Sequence, residues 1–198
     1  MSKKTKIFIW VAVIVVILVV LPYSIFKSAY NQLITLDEAT NNAWANVQTQ
    51  LQRRYDLIPN YVETVKGYAI HEREVLIEVT KARAQVGSAR TVSEQIKANN
   101  ALSGALSRLL VVVERYPELK ANQNFIRLQD ELSGTENRIA VARRRYNQAV
   151  REYNQKIRSF PILILARMLN FQPKPYFEAP TEAQKAPKVD FSRSDDAP

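Results

Sequence analysis

The sequence predicts an all-α protein, with an N-terminal transmembrane helix followed by an antiparallel four-helix bundle and a short fifth helix. Three observations predict this fold. Residues 7–21 form an unbroken apolar run. Beyond residue 30, apolar side chains recur at steps of three and four, the spacing of one helix face. The 198 residues include only four glycines, which favours long helices over short strands joined by glycine-rich turns.

The N-terminal apolar segment has the length of a membrane span. With Tyr23 and Phe26 it reaches about 20 residues, which matches a hydrocarbon core of about 30 Å. Aromatic side chains are favoured at the two interfaces, where Trp10 and Tyr23 fall. We therefore predict an anchor over residues 1–27. Its marker residues are Ile7, Trp10, Leu21 and Phe26.

A cleavable signal peptide is the alternative for this segment. The apolar region of a signal peptide usually has about 7–15 residues and ends at a small-residue cleavage site. Leu21-Pro22-Tyr23 is no such site, and Lys27-Ser28-Ala29 is a weak one. The sequence favours an uncleaved anchor.

The lysines around the span predict its orientation. Lys3, Lys4 and Lys6 precede it, whereas Lys27 is the only cation between it and Arg53. The positive-inside rule then places the N-terminus in the cytoplasm and the following domain in the periplasm.

Four amphipathic stretches follow the anchor, at residues 28–56, 59–86, 92–115 and 122–158. Apolar residues in the last one alternate between steps of three and four, a 3.5-residue repeat that is typical of coiled-coil packing. Local signals agree with these bounds. Gly87 is placed to cap the second helix, Thr91 and Glu94 to form a capping box, and Asn122 to cap the fourth helix.

Pro59 decides whether the first two stretches are separate helices. The apolar pattern runs through it, so one kinked helix is the alternative to a turn. A single rod of about 90 Å would leave half of its apolar stripe unpaired, whereas helices of about 36–55 Å pair well as neighbours. We therefore expect a turn at residues 56–59 and a four-helix up-down bundle over residues 28–171.

The last apolar segment, residues 160–171, is too short to span a membrane. In the up-down order it returns to the bilayer, so two interpretations stand equally: a cap on the bundle core, or a helix lying in the membrane interface. The interface residues would be Phe160, Ile162, Leu163, Leu165, Met168 and Phe171. Residues 172–198 are rich in proline and polar side chains, and we expect them to be disordered.

The sequence offers no catalytic, cofactor or metal site. It has no cysteine and one histidine, His71. His71-Glu72 begins the zinc motif H-E-x-x-H, but Val75 follows where the second histidine is needed, so such a site cannot form. We expect His71 on a helix surface or at an interface, and a protein that is not an enzyme.

The net charge of +9 does not indicate a nucleic-acid partner. Cations are interspersed with Asp and Glu over the helical domain, whereas a nucleic-acid footprint needs clustering. Arg143, Arg144 and Arg145 are the densest cluster, and consecutive residues point in different directions on a helix.

A predicted tip is formed by the cations and tyrosines around the expected turn, because Tyr and Arg are favoured at interaction hot spots. Its residues are Arg53, Arg54, Tyr55, Tyr61 and Tyr116. A well-packed end cap is the alternative for these residues, and a partner-docking surface is the functional hypothesis.

Long stretches of the chain resemble the LemA family. They include NQLITLDEATNNAWANVQTQLQRRYDLIPNYVETVKGYAIHEREV, LSGALSRLLVVVERYPELKANQNFIRLQDELSG and PKPYFEA, within residues 30–179. The resemblance implies a bacterial inner- or plasma-membrane protein with one N-terminal span, an antiparallel helical bundle and no catalytic residues. It also implies, by association, a membrane metalloprotease of the HtpX type as partner and a role in membrane stress or protein quality control. Family topology has also been drawn with the domain in the cytoplasm, against the lysine argument.

These observations leave three functions to weigh. The first is a non-enzymatic membrane scaffold or adaptor that presents surfaces to protein partners or to copies of itself. The second is a lipid-interacting, membrane-remodelling module that uses residues 158–171. The third, with least support, is an enzyme with an unrecognised site.

Overall fold

The computed structural model describes residues 3–69 and 71–178, without the side chains of residues 4, 6 and 7. Over this part of the chain all regular structure is helical, which confirms the predicted all-α class. The helices are α1 (Lys3–Lys66), α2 (Arg73–Ser88), α3 (Val92–Val113), α4 (Pro117–Lys120), α5 (Gln123–Ile157) and α6 (Ile162–Met168).

The predicted turn at residues 56–59 is wrong, because α1 continues through Pro59 without a break. A proline inside a helix loses one backbone hydrogen bond and crowds the preceding turn, at a cost of about 3 kcal/mol. Ile58 and Tyr61, on either side of it, are fully buried, and the burial of such side chains offsets this cost. The first two predicted helices are therefore not separate, and the predicted four-helix order is not observed.

The chain leaves α1 at Gly67 instead. Glycine is the poorest helix former after proline. The amide of Tyr68 donates to the carbonyl of Val65 at 3.0 Å, which tightens the last turn, and α2 begins at Arg73. His71 lies exposed in this connection rather than on a helix surface.

Of the three predicted helix caps, two are confirmed and one is wrong. The capping box is confirmed, since the amide of Glu94 donates to Thr91 Oγ1 at 3.2 Å and the amide of Thr91 donates to Glu94 Oε2 at 3.0 Å. Asn122 Oδ1 accepts from the amide of Phe125 at 3.1 Å, which confirms the cap of α5. The predicted cap at Gly87 is wrong, because α2 runs through it and ends at Ser88.

The described residues divide into two compact units. Unit 1 comprises the described parts of Met1–Asp56 and Glu131–Tyr176, and unit 2 those of Leu57–Asp130 and Phe177–Pro198. The expected division into residues 1–27, 28–171 and 172–198 stays a prediction, except that residues 172–178 are hydrogen-bonded to the helices rather than disordered. Residues 179–198 lie outside the described part of the chain.

In unit 1, α1 and α5 run antiparallel. The rings of Trp44 and Tyr146 lie 5.1 Å apart, and further along the pair Arg54 Nη1 lies 2.7 Å from Glu136 Oε1. The core between them is an apolar stripe on each helix, as the period of the sequence indicates. The coiled-coil packing predicted from the 3.5-residue repeat stays a prediction.

In unit 2, α2 and α3 pack against each other through buried aliphatic side chains. The rings of Tyr61 and Phe125 lie 5.2 Å apart and are both fully buried. Glu72 Oε1 accepts from Arg115 Nη2 at 2.9 Å and from the hydroxyl of Tyr116 at 3.1 Å.

Candidate functional site

One face of α6 is packed against the α1–α5 pair. Its buried side chains join Leu33 of α1 and two residues of α5 in one apolar cluster, against which Ala29, Leu36 and Phe171 also pack. The cluster consists of Leu33, Tyr153, Ile157, Ile162, Leu165 and Ala166. Of the predicted interface residues, Ile162, Leu165 and Phe171 therefore contact protein.

The other face of α6 is exposed and mainly apolar, with Arg167 as its single charged residue. Phe160 and Met168 have 82% and 73% of their surface exposed, Ile164 is exposed as well, and Leu163 is half-buried. Ile164 and Met168 share one face of α6 by their spacing of four, and Phe160 lies just before the helix, next to Pro161. The sequence offered a cap and an interface helix as alternatives. In the structure α6 has the packed face of a cap and a second apolar face that solvent reaches.

The predicted span lies on α1. Within the described residues, it belongs to the one helix long and apolar enough to cross a membrane, and its apolar window is entirely unburied. Trp10, Leu21 and Phe26 are exposed, whereas the side chain of Ile7 lies outside the described residues. A water-exposed apolar helix of this length has the composition of a lipid-facing segment.

The residues of the predicted tip do not sit at a turn. Arg53 Nη2 lies 2.7 Å from Glu131 Oε1 on the surface of the α1–α5 pair. Arg54 and Tyr61 are each only 1% exposed, so these two side chains stabilise the interior rather than offer a surface. Tyr55 is half-buried, and so is Tyr116, whose hydroxyl donates to Glu72 in unit 2. Partner binding by the accessible members of this set stays a prediction.

An extended strap, residues 171–176, crosses the α1–α5 pair and was not predicted from the sequence. The side chain of Asn154 brackets Lys174: its Nδ2 donates to the Lys174 carbonyl and its Oδ1 accepts from the Lys174 amide, both at 2.9 Å. The hydroxyls of Tyr146 and Tyr153 donate to the carbonyls of Pro175 and Gln172 at 2.9 and 3.0 Å. Polar groups on the buried stripe of α5, seven and eight residues apart, were the available signal.

The electrostatics of this strap are those of a structural contact. Burial raises the pKa of Tyr146 to about 12, and burial together with the charge of Asp37 raises the pKa of Tyr153. Both phenols therefore remain protonated donors throughout the physiological range, as their hydrogen bonds to carbonyl oxygens require.

In the described part of the chain, the side chains that commonly bind metals are not clustered. Across residues 3–69 and 71–178, no three His, Cys, Asp or Glu side chains are close enough to share a metal ion. A shallow groove on unit 1 is lined mainly by small and amide side chains, together with Arg138 and Arg145. These lining residues include no carboxylate, imidazole or hydroxyl that could act as base or nucleophile.

A family model described as the LemA family matches residues 43–191. This chain belongs to the LemA family. The match confirms the resemblance drawn from the sequence. It covers most of α1 beyond the span and every helix that follows.

Curated relatives of this LemA-family chain are distant. It is 27% identical over 175 residues to magnetosome protein MamQ 2 of Paramagnetospirillum magneticum, which covers 75% of this chain and 64% of the relative. It is 24% identical over 177 residues to protein LemA of Metamycoplasma hominis, which covers 87% of this chain and 78% of the relative. The LemA-family chain thus spans less than two thirds of the length of the magnetosome relatives.

Proposed function

We propose that this LemA-family chain is a non-enzymatic, membrane-anchored scaffold or adaptor. The observation that carries the proposal is the continuity of α1. One unbroken helix, Lys3–Lys66, contains the exposed apolar segment and then the buried stripe that pairs with α5. Because no flexible linker separates the span from this helix pair, the anchor would hold unit 1 in a fixed orientation relative to the bilayer.

The bonding partners of the buried polar groups favour an interaction role over catalysis. Tyr146, Tyr153 and Asn154 bond to the backbone of the strap, and Arg54 pairs with Glu136. Each of these groups forms a hydrogen bond or ion pair within the protein, as buried polar side chains usually do. None is left poised in a cleft with a shifted pKa and a neighbouring nucleophile, as an active site would require.

The accessible members of the predicted tip on unit 1 supply the proposed partner surface. Arg53 is more than half exposed, and Tyr55 is partly accessible. The partner would be another membrane protein, such as the HtpX-type protease that the family resemblance implies, or a second copy of this chain. The proposed cellular role is in membrane stress or protein quality control.

Arg53 and Arg54 form a matched pair for testing this surface. Both are arginines on the same turn of α1 and both pair with a glutamate of α5, but only Arg53 is exposed. Crosslinking in cells followed by mass spectrometry of the full chain would identify the partner. Arg53→Ala is expected to weaken its recovery with an unchanged melting temperature, whereas Arg54→Ala is expected to lower the melting temperature. Full recovery of the partner with Arg53→Ala would refute the proposed surface.

We also propose that the N-terminus is cytoplasmic and the helical domain periplasmic, on the excess of lysines before the span. The chain has no cysteine, so a single cysteine can report its surroundings. Val111→Cys replaces an exposed residue of α3. A membrane-impermeant maleimide is expected to label it in intact spheroplasts, and labelling only after lysis would place the domain in the cytoplasm.

A second candidate function is a lipid-interacting, membrane-remodelling module that uses residues 158–171. The observation in its favour is the exposed apolar face of α6. Vesicle tubulation or leakage caused by the full chain, and lost on polar substitution of Phe160 and Met168, would favour remodelling over a scaffold. Unchanged vesicles at high protein density would reject it.

A further inference from the structure

Arg167 is the single polar residue of the short helix α6. Ile164 and Met168 are exposed on one side, Ile162 and Leu165 are buried on the other, and Phe160 is exposed just before the helix. A surface helix of a water-soluble domain normally turns a charged or polar stripe to solvent. A contiguous apolar patch on such a surface marks an interaction site.

The position of this patch along α1 indicates what covers it. Ala29 packs against the α6 cluster and follows Phe26, the last residue of the predicted span, by three positions, or about 4.5 Å of helix. Leu33, in the same cluster, lies about 10 Å beyond Phe26. The headgroup layer on each side of the hydrocarbon core is about 5–8 Å thick. With the span in the core, α6 meets α1 from the depth of the headgroups, at Ala29, to just beyond them, at Leu33.

The charge distribution at this end of unit 1 also favours contact with lipid headgroups. Residues 1–36 and 153–177 contain no Asp or Glu, and the first carboxylate of the chain, Asp37, is paired with Lys174 at 2.8 Å. The cations of these two segments include Lys27, Arg158 and Arg167, which are all exposed. Basic residues beside an apolar surface are the combination that binds anionic lipid headgroups.

We propose that α6 lies in the lipid–water interface, in the leaflet where α1 leaves the membrane, with Phe160, Ile164 and Met168 inserted among anionic phospholipids. The helical pair is then held to the bilayer at two points, the span and α6, and the second point also prevents rotation about the axis of α1. This inference rests on the membrane anchoring in the proposed function. A second copy of the chain is a poorer occupant, since it would present the same uncompensated cations to this end.

Because the chain has no native cysteine, single introduced cysteines can be labelled selectively to test this proposal. Phe160→Cys, Ile164→Cys and Met168→Cys in the full chain are each labelled with an environment-sensitive NBD fluorophore. The chains are reconstituted into phosphatidylglycerol–phosphatidylcholine vesicles carrying doxyl quenchers at shallow or deep positions of the lipid. Val141→Cys is the matched control, because it is also an exposed apolar residue but lies about 24 Å from Ile157 along α5.

The three α6 positions are expected to show blue-shifted emission and at least threefold stronger quenching by shallow doxyl lipid than Val141→Cys. Quenching equal to that of Val141→Cys would overturn the proposal. Blue-shifted emission without lipid quenching, reversed when unlabelled chain is added, would mean that a second copy covers the face, and would also overturn it. Quenching that is as strong in pure phosphatidylcholine as in mixed vesicles would refute the anionic preference.

Carbonate extraction of the same vesicles separates failure of the inference from failure of the anchor. A chain that carbonate releases lacks a spanning helix, and the proposed anchoring falls with it. A chain that stays in the membrane while its α6 labels remain unquenched refutes the α6 contact alone.

Discussion

The ammonium group of Lys174 lies 2.8 Å from Asp37 Oδ1 and so joins the strap to α1 across 137 residues of sequence. It also donates to Asn41 Oδ1 at 2.7 Å, and it lies 5.2 Å from the centre of the Tyr153 ring. Both charged side chains are less than one third exposed. The strap is therefore fastened to the helix pair by a largely desolvated ion pair rather than by a surface contact.

Replacement of Lys174 is expected to loosen the strap. Lys174→Met keeps the aliphatic stem but removes the charge, which leaves Asp37 and Asn41 without this donor. The free energy of unfolding should fall by about 1–3 kcal/mol, the usual cost of stranding a partly buried acceptor. Chemical unfolding of the full chain in nanodiscs, followed by circular dichroism, measures it. Lys66→Met is the control, because its ion pair with Glu63 is more than 60% exposed on both sides and should contribute little. Equal losses in the two variants would contradict the role of Lys174.

Tyr146 is expected to make stability depend on alkaline pH. Its pKa in the folded chain is about 12, raised from an ordinary value of 10 by burial. A raised folded-state pKa means that the stabilisation is fully present below pH 10 and is lost as the pH rises towards 12, on the order of 2 kcal/mol. Tyr146→Phe should be less stable at neutral pH, since it lacks the hydrogen bond to Pro175, and should lose less stability between pH 10 and 12.

The measurement for Tyr146 is a melting curve of the full chain at steps between pH 8 and 12. Tyr176→Phe, at an exposed tyrosine of the strap, controls for the simple loss of a phenol. Identical alkaline losses in parent and Tyr146→Phe would show that Tyr146 does not contribute to this dependence.

The capping box of α3 is expected to make its own measurable contribution to the free energy of unfolding. Thr91→Ala removes the acceptor for the amide of Glu94 and should cost about 1 kcal/mol. Ser93→Ala is the matched control, because Ser93 lies exposed in the first turn of the same helix and alanine is the better helix former. Urea unfolding of both variants gives the comparison, and a cost at Ser93 as large as that at Thr91 would argue against a specific cap.

Pro59 is expected to be a defect that α1 tolerates. Pro59→Ala restores a helical hydrogen bond and removes a steric conflict, so the free energy of unfolding should rise by about 1–2 kcal/mol. Pro117→Ala is the control, since Pro117 opens α4 at a position where proline is well accommodated, and its effect should stay within about 0.5 kcal/mol. Destabilisation by Pro59→Ala would instead favour the turn that the sequence predicted.

The features predicted correctly are those decided within a few residues of the chain. Thr91 with Glu94, and Asn122 with Phe125, satisfy helix ends through contacts three residues apart, so the sequence alone specifies them. The apolar run of the span and the short helix at residues 162–168 are equally local, because continuous hydrophobicity and helical spacing are properties of the segment itself.

The candidate site was predicted in part. Residues 160–171 were recognised as a short apolar segment, but the sequence could not say which of them pack inward, because that depends on how α6 rotates against Leu33 and Ile157. Arg54 and Tyr61 were expected at a surface from their residue type, whereas both lie fully buried. A buried arginine is revealed only by its partner, and Glu136 is 82 residues away in sequence.

By itself the sequence determined that this protein is helical, where α3 and α5 begin, and that its first segment suits a lipid environment. Only the tertiary structure decided that α1 passes through Pro59 and that residues 171–176 fold back over the helix pair. The physical reason is the range of the forces involved. Caps and helical periodicity act over one or two turns, whereas burial of Ile58 and Tyr61 and the bonds of Lys174 depend on partners brought together from distant parts of the chain.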